Sequence, residues 1–322
     1  MQKDYKLNVF PNHKLITEKA NLHNSLIEWC SDNDVDIDTI YPKTVVFDNT
    51  NTDELKKFKD SDIVIVKPSD SFGGQQIQVM YFRDFNINKI INNPRGIGAK
   101  QTEEKDNKRK WIIQEYLVNC KTIKNLHHNY SSKFDIRVNI LLDYNGGMLQ
   151  YNLYSLRVSD NEYKIPNFNS GELFDTLTHV TNLDLRDVRT QNSQRYMQDV
   201  VKDRQLSNND IYAVDNFMNY IIRPFIIETV YKKYRDYTMP LEYDGRYDIK
   251  TNKQFKYDNI KCYQRFGIDL ILLNDETVRL LEINSNPSNT YDNPDMLNMQ
   301  FIGMGYIPIT PNFTKFERLY QL

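Results

Sequence analysis

The sequence predicts a mixed α+β protein, and three observations carry that prediction. Short apolar runs with strand alternation come in adjacent pairs, as in FDIRVNILL (134–142) and LQYNLYSLRV (149–158) around the turn 143–147. Between such pairs lie stretches with helical spacing, over 20–30 (Leu22, Leu26, Ile27, Cys30) and over 211–233. No internal repeat or long low-complexity tract interrupts this alternation.

The elements follow in order. Residues 1–60 read as a small α/β domain: the helix over 20–30, an acidic loop, a strand over 41–47 and a short helix over 52–59. An apolar strand over 63–66 ends at Lys67-Pro68, and SDSFGGQQI leads as a small-residue loop toward the next strand. Residues 94–110 are polar and charged, so they read as a loop before the strand WIIQEYL (111–117). That strand closes a central unit over 61–120. Residues 121–322 form the carboxy-terminal unit, with the strand pair above, helices over 197–201 and 211–233, and a last hairpin pairing 267–273 with 277–283.

Composition narrows the function classes. The 322 residues carry a net charge of −2, which argues against a general binder of nucleic acid or acidic membrane but leaves a local basic groove open. Three cysteines without CxxC spacing read as reduced, buried thiols of a cytoplasmic protein. No window approaches a membrane span, and the first residues lack the apolar core of a signal peptide.

Chemistry concentrates in three places. In RLLEINSNPS (279–288) strand alternation puts Glu282 and Asn284 on one face and Leu281 and Ile283 on the other. A hairpin loop of two or four residues would bring Asp269 to the face of Glu282; a three-residue loop would turn it away. Asp269, Glu282 and Asn284 together are hard oxygen donors of the kind Mg²⁺ takes, though a satisfied hairpin end reads equally well on these residues alone. In IVIVKPSDSFGGQQI, Lys67 precedes Gly73-Gly74, where backbone can approach phosphate, yet an ordinary turn after a solvated lysine fits too. In SSKFDIRVNILL, Lys133, Asp135 and Arg137 share a face, with Arg157 on the paired strand. That face is either solvated or a clamp for phosphate and carboxylate. His179, in HVTN, reads as a structural hydrogen-bonding residue.

The order of these pieces is more informative than any one of them. YPKTVVF, IVKPSDSFGGQQI, WIIQEYL, KFDIRVNILL, LYSLRV, HVTN, FGIDLILL and LLEINSNPS succeed one another in a way that resembles the tubulin–tyrosine ligase-like family of the ATP-grasp superfamily, over roughly 41–288. The resemblance implies two β-rich lobes closing over MgATP. It implies that Lys67 and Lys133 contact the phosphates under the Gly73-Gly74 loop. Gln114, Glu115, Tyr116 and Leu117 form the hinge that reads adenine, Asp135 lies near the ribose, and Thr181 and Asn182 line the cleft. Asp269, Glu282 and Asn284 hold Mg²⁺, while Arg137 and Arg157 stabilise the transferred phosphate and the reacting carboxylate. The activity so implied joins a free amino acid (tyrosine, glutamate or glycine) to a protein carboxylate through an acyl phosphate. The acceptor is an acidic or C-terminal tail, that of tubulin being one example. A small-peptide or free amino-acid acceptor and an inactive polypeptide-binding relative are the alternatives. The chain departs from the family in reading SFGGQQI where a basic residue and differently spaced glycines are usual. It also carries Arg265 where an apolar residue is common and shows no appended cationic module.

Overall fold

Two antiparallel sheets face each other across a cleft, in the α+β arrangement expected from the sequence. The computed structural model describes residues 5–7, 9–10, 12–47, 52–70, 76–86, 110–125, 128–181, 195–235, 260–285, 287, 299 and 313–316. The chain begins with β1 (Tyr5–Leu7), α1 (Lys14–Thr17) and α2 (Lys19–Asp32). Then β2 (Thr44–Phe47), β3 (Ile63–Pro68), β4 (Gln78–Tyr81) and β5 (Trp111–Glu115) form the smaller sheet, ordered β2-β5-β3-β4. Alternation explains its two faces. Val45, Phe47, Val64, Val66, Trp111 and Ile113 bury together with Phe58, while Ile65, Lys67 and Gln114 face the cleft.

The larger sheet is built on β7 (Ser131–Leu142), which follows the short β6 (Thr122–Lys124). The single strand expected over 149–158 is in fact two, β8 (Met148–Tyr151) and β9 (Ser155–Val158), both paired with β7. The break occurs because Tyr154 turns into the core, where its hydroxyl accepts from Gln150 Nε2 at 3.1 Å and donates to Asp215. The Gln198 amide satisfies the interrupted backbone, accepting from the Tyr154 N–H at 3.3 Å and donating to the Asn152 carbonyl at 2.8 Å.

Next come α3 (Thr176–His179), β10 (Arg195–Tyr196), α4 (Met197–Lys202) and α5 (Asn208–Phe217), the last opening a continuous helical run to Arg235. Ser207 caps that run in a capping box with Asp210. Pro224 sits inside it, unable to donate to the preceding turn, and wider π turns at Met218–Ile222 and Ile227–Lys232 lie on either side. The chain then adds β11 (Ile260–Cys262), β12 (Gln264–Leu272), β13 (Val278–Ser285) and β14 (Phe313–Phe316). The sheet order is β10-β9-β7-β12-β13, with β8 and β14 continuing beside one end of β7 and β6 beside the other.

One face of this sheet is the main core. Ile136, Val138, Ile268, Leu270, Leu280 and Ile283 pack against Leu22, Leu26 and Trp29 of α2 and Val214, Ile222 and Phe225 of the long helix. The opposite face carries the charged residues and forms the floor of the cleft. Among the described residues, no helix is long and apolar enough to cross a membrane.

Candidate active site

The β12–β13 hairpin decides whether Asp269 and Glu282 can meet. Its loop has the odd length that should separate them: Leu273 and Thr277 pair across Asn274, Asp275 and Glu276, and Glu276 adopts φ +65°. A β-bulge restores the pairing. Leu270 lies opposite Leu280, but Asp269 lies opposite Glu282, because Leu281 is the extra residue. Strict alternation therefore fails at Leu281, which lines the cleft beside Glu282 instead of facing the core with Ile283.

Around Asp269 the charges form a web. Arg137 grips it side-on, Nη2 to Oδ2 at 2.9 Å and Nε to Oδ1, and Arg157 Nη2 reaches Oδ2 at 2.9 Å. Arg157 also grips Asp135 side-on, through Nε at 2.6 Å and Nη2 at 2.8 Å, and Thr181 donates its hydroxyl to the same carboxylate. Each arginine thus spends its Nε–Nη2 edge on buried carboxylates, and its Nη1 has no acceptor among the described residues. Burial pushes the Asp269 carboxyl up, against the pull of both guanidiniums. Burial lowers Arg157, but Asp135 and Asp269 outweigh it and hold the guanidinium above its ordinary range.

Glu282 is the anchor on the other side. Burial alone would raise its carboxyl, but the Lys19 and Lys67 ammoniums hold it well below the usual carboxylate range. Lys19 Nζ stands 3.8 Å from Glu282 Oε2. The Asn284 amide nitrogen donates to Asp269 at 3.0 Å and to Glu282 at 3.1 Å, so the three predicted metal ligands are brought together.

The two cleft lysines are held differently. Lys67 Nζ donates to Gln114 Oε1 at 2.9 Å, Gln114 Nε2 donates to Thr44 Oγ1 at 2.9 Å, and the Thr44 hydroxyl donates to the Pro42 carbonyl at 2.7 Å. Because the hydroxyl must donate to Pro42, the amide orientation is fixed with its oxygen toward Lys67. Thr44→Val leaves the Gln114 amide N–H unsatisfied, a penalty of about 1–3 kcal/mol. Nucleotide affinity is expected to fall several-fold by calorimetry, and unchanged affinity would remove this relay from the account.

Lys133 is tied to the hinge. Its Nζ donates to the Tyr116 hydroxyl at 2.8 Å and to the His179 carbonyl at 3.4 Å, and Tyr116 in turn donates to His179 Nδ1 at 2.8 Å. Burial and Lys133 lower His179 to about 4, so the ring is neutral, a structural partner packed on Tyr163 and Phe174. In the hinge, the Glu115 and Tyr116 N–H groups donate to Lys43 and Ile63 carbonyls, whereas the Leu117 N–H has no partner among the described residues. Burial lowers both Lys67 and Lys133 to about 8. A bound phosphate favours their charged forms. Nucleotide affinity should therefore weaken above about pH 8, with proton uptake on binding in that range. Calorimetry in buffers of different ionisation heat checks this; affinity constant between about pH 7 and 9.5 would contradict it.

These groups line one cleft between the two sheets. Its walls add residues that the sequence did not single out: Lys19 at the start of α2, and Ile65, Ile77, Val180, Ile271 and Leu281 as apolar surface. Arg137 and Asn284 stand beside the cavity on the same charged sheet face. Gly73, Gly74 and Asn182 lie outside the described residues. Lys19, Lys67, Lys133 and Arg157 in the lining are matched by Glu115, Asp135, Asp269 and Glu282. A polyphosphate alone finds no cationic surplus here, so it fits best together with a divalent cation. The oxygen donors of Asp269, Glu282 and Asn284 suit Mg²⁺ in type.

A search of curated proteins gave no match. The sequence profile of the tubulin-tyrosine ligase family matches residues 1–302 of the 322. Family members are generally ATP-dependent ligases that add amino acids to proteins, and they use ATP and Mg²⁺. With an α+β cleft whose hairpin, paired arginines and hinge follow the order of the sequence motifs, the chain belongs to the tubulin-tyrosine ligase family.

Proposed function

We propose that the protein uses ATP to join a free amino acid to a carboxylate on another polypeptide. The observation that carries this reading is the pair of side-on arginines, whose Nη1 donors remain available on the charged sheet face beside the cleft. A carboxylate is a poor electrophile until one oxygen becomes a leaving group. In the proposed reaction an acceptor carboxylate oxygen attacks the γ-phosphorus, the bond to the β-phosphate oxygen breaks, and ADP leaves. The amine then attacks the acyl carbon, the C–O bond to phosphate breaks, and inorganic phosphate carries that oxygen away as the amine loses its proton. Charge neutralisation and positioning supply most of the catalysis in such transfers.

Roles follow from position. The Leu117 N–H and the Glu115–Tyr116 segment face the base, and Lys133, fixed to Tyr116, meets the phosphates from the hinge side. Lys67 and Lys19 face the phosphates. Arg157 and Arg137 present Nη1 to the transferred phosphoryl group and the acceptor, with Asp135 and Thr181 holding Arg157 in place. Asp269, Glu282 and Asn284 would hold Mg²⁺, which when bound would supply charge neutralisation on the phosphates. The three-part division at 60 and 120 is part of the same proposal.

Calorimetry with ATP and Mg²⁺ tests the foundation. Binding is expected with Mg²⁺ present and should weaken by at least about tenfold in Lys67→Ala, as for loss of a charge-assisted contact. No binding to the wild type would sink the proposal.

A further inference from the structure

Residues 159–175 line no part of the cleft, yet they tie its two walls together. They leave the larger sheet just after β9 and return at α3 as one loop whose ends are clipped, Asn161 Nδ2 donating to Asp175 at 2.6 Å. Compact loops of this kind hold their shape through their own side chains. The base of the loop stands on Lys133 and the hinge. The Ser159 N–H donates to the Lys133 carbonyl at 2.8 Å, and the Tyr163 hydroxyl donates to the Val118 carbonyl at 3.1 Å. The Tyr163 and Phe174 rings pack on His179, which holds Lys133 and Tyr116. The tip of the loop reaches the smaller sheet. Tyr81, the last residue of β4, donates its hydroxyl to the Pro166 carbonyl at 2.6 Å. Its ring meets Phe168 and Phe174 edge-on, with centroids 4.7 and 5.5 Å away. The Arg83 guanidinium lies 3.5 Å from the centre of the Phe168 ring and donates to the Phe168 carbonyl.

Strand order gives this tie its leverage. In the smaller sheet, β2-β5-β3-β4, the chain passes to the other wall from the end of β5, while the loop holds β4. Between them lies β3, the strand that carries Lys67. Lys67 therefore faces the larger sheet from a strand secured on both sides.

We infer that Tyr81 and Arg83 are positioning residues, which through this loop set the span between Lys67 and Lys133 across which the nucleotide phosphates bind. This rests on the ATP reading above. Neither residue touches the nucleotide. A wall attached at β5 alone is free to swing about the hinge, and a swing at β3 lengthens the charge-assisted contact that Lys67 makes to phosphate. The tie removes that freedom before the nucleotide arrives, so less ordering remains to be done on binding.

The test uses the full chain with Mg²⁺ and a non-hydrolysable ATP analogue, its affinity measured by calorimetry. Tyr81→Phe combined with Arg83→Ala removes both hydrogen bonds and the cation over Phe168 while keeping the Tyr81 ring. Affinity is expected to fall at least about tenfold. In a Lys67→Ala background the same pair should cost less than about threefold, because the span it sets has lost one end. A merely structural loosening predicts the same factor in both backgrounds. Should the double variant fail to fold, Tyr81→Phe alone removes one oxygen and carries the same cycle, with an expected loss of about threefold that vanishes in Lys67→Ala. Affinity unchanged by the substitutions, or lowered by the same factor with and without Lys67, would overturn the inference while nucleotide binding still stands. A wild type that binds no analogue would overturn the ATP reading, and this inference with it.

Discussion

Glu282→Gln is expected to lower ligation by about 10³-fold or more while leaving the protein folded. The substitution keeps shape and removes one negative charge from the oxygen donors at the phosphate end of the cleft. A loss of about 4 kcal/mol in transition-state stabilisation corresponds to that factor. Lys19 and Lys67 lose the carboxylate that both face, so the melting temperature should also drop by a few degrees. Product formation measured by mass spectrometry, beside a thermal melt, separates the two effects. A rate within about threefold of wild type would remove Glu282 from the metal set.

Arg157→Ala should do more damage, and to stability as well as rate. Arg157 pairs with Asp135 and Asp269 at once, both buried, so its removal strands Asp135 and leaves Asp269 to Arg137 alone. Breaking a buried pair in this way costs about 3–5 kcal/mol, which for a chain of this length lowers Tm by roughly 5 °C. Arg157→Lys keeps the charge but loses the planar fork, so it should recover part of the stability and little of the rate. A melt of Arg157→Ala within about 2 °C of wild type would show that the web around Asp269 is not what holds the sheet face together.

Much of this was legible in the sequence because strand alternation is strong where one face is buried. Phe134, Ile136 and Val138 alternate with Lys133, Asp135 and Arg137, and the structure keeps that division. What escaped were features set by contacts between distant segments. The loop of the last hairpin has the length expected to separate Asp269 from Glu282, and only the bulge at Leu281 rejoins them. A one-residue bulge leaves no mark in composition, since Leu281 reads as another apolar strand residue. The break at 152–154 depends on Gln198, more than forty residues away. Lys19 looks like any exposed lysine at a helix start until Glu282, far along the chain, is found beside it. Gln114 shows the opposite case, a residue placed in the hinge by its position whose side chain holds Lys67.

The most direct measurement follows isotope-labelled amino acids in a host lysate incubated with the purified protein, ATP and Mg²⁺. Peptide mass spectrometry should find label joined through an amide to a glutamate side chain or a chain-terminal carboxylate, only with ATP present and not with Glu282→Gln. Protein that binds MgATP yet transfers no label to any polypeptide, or transfers it equally without ATP, would contradict the account.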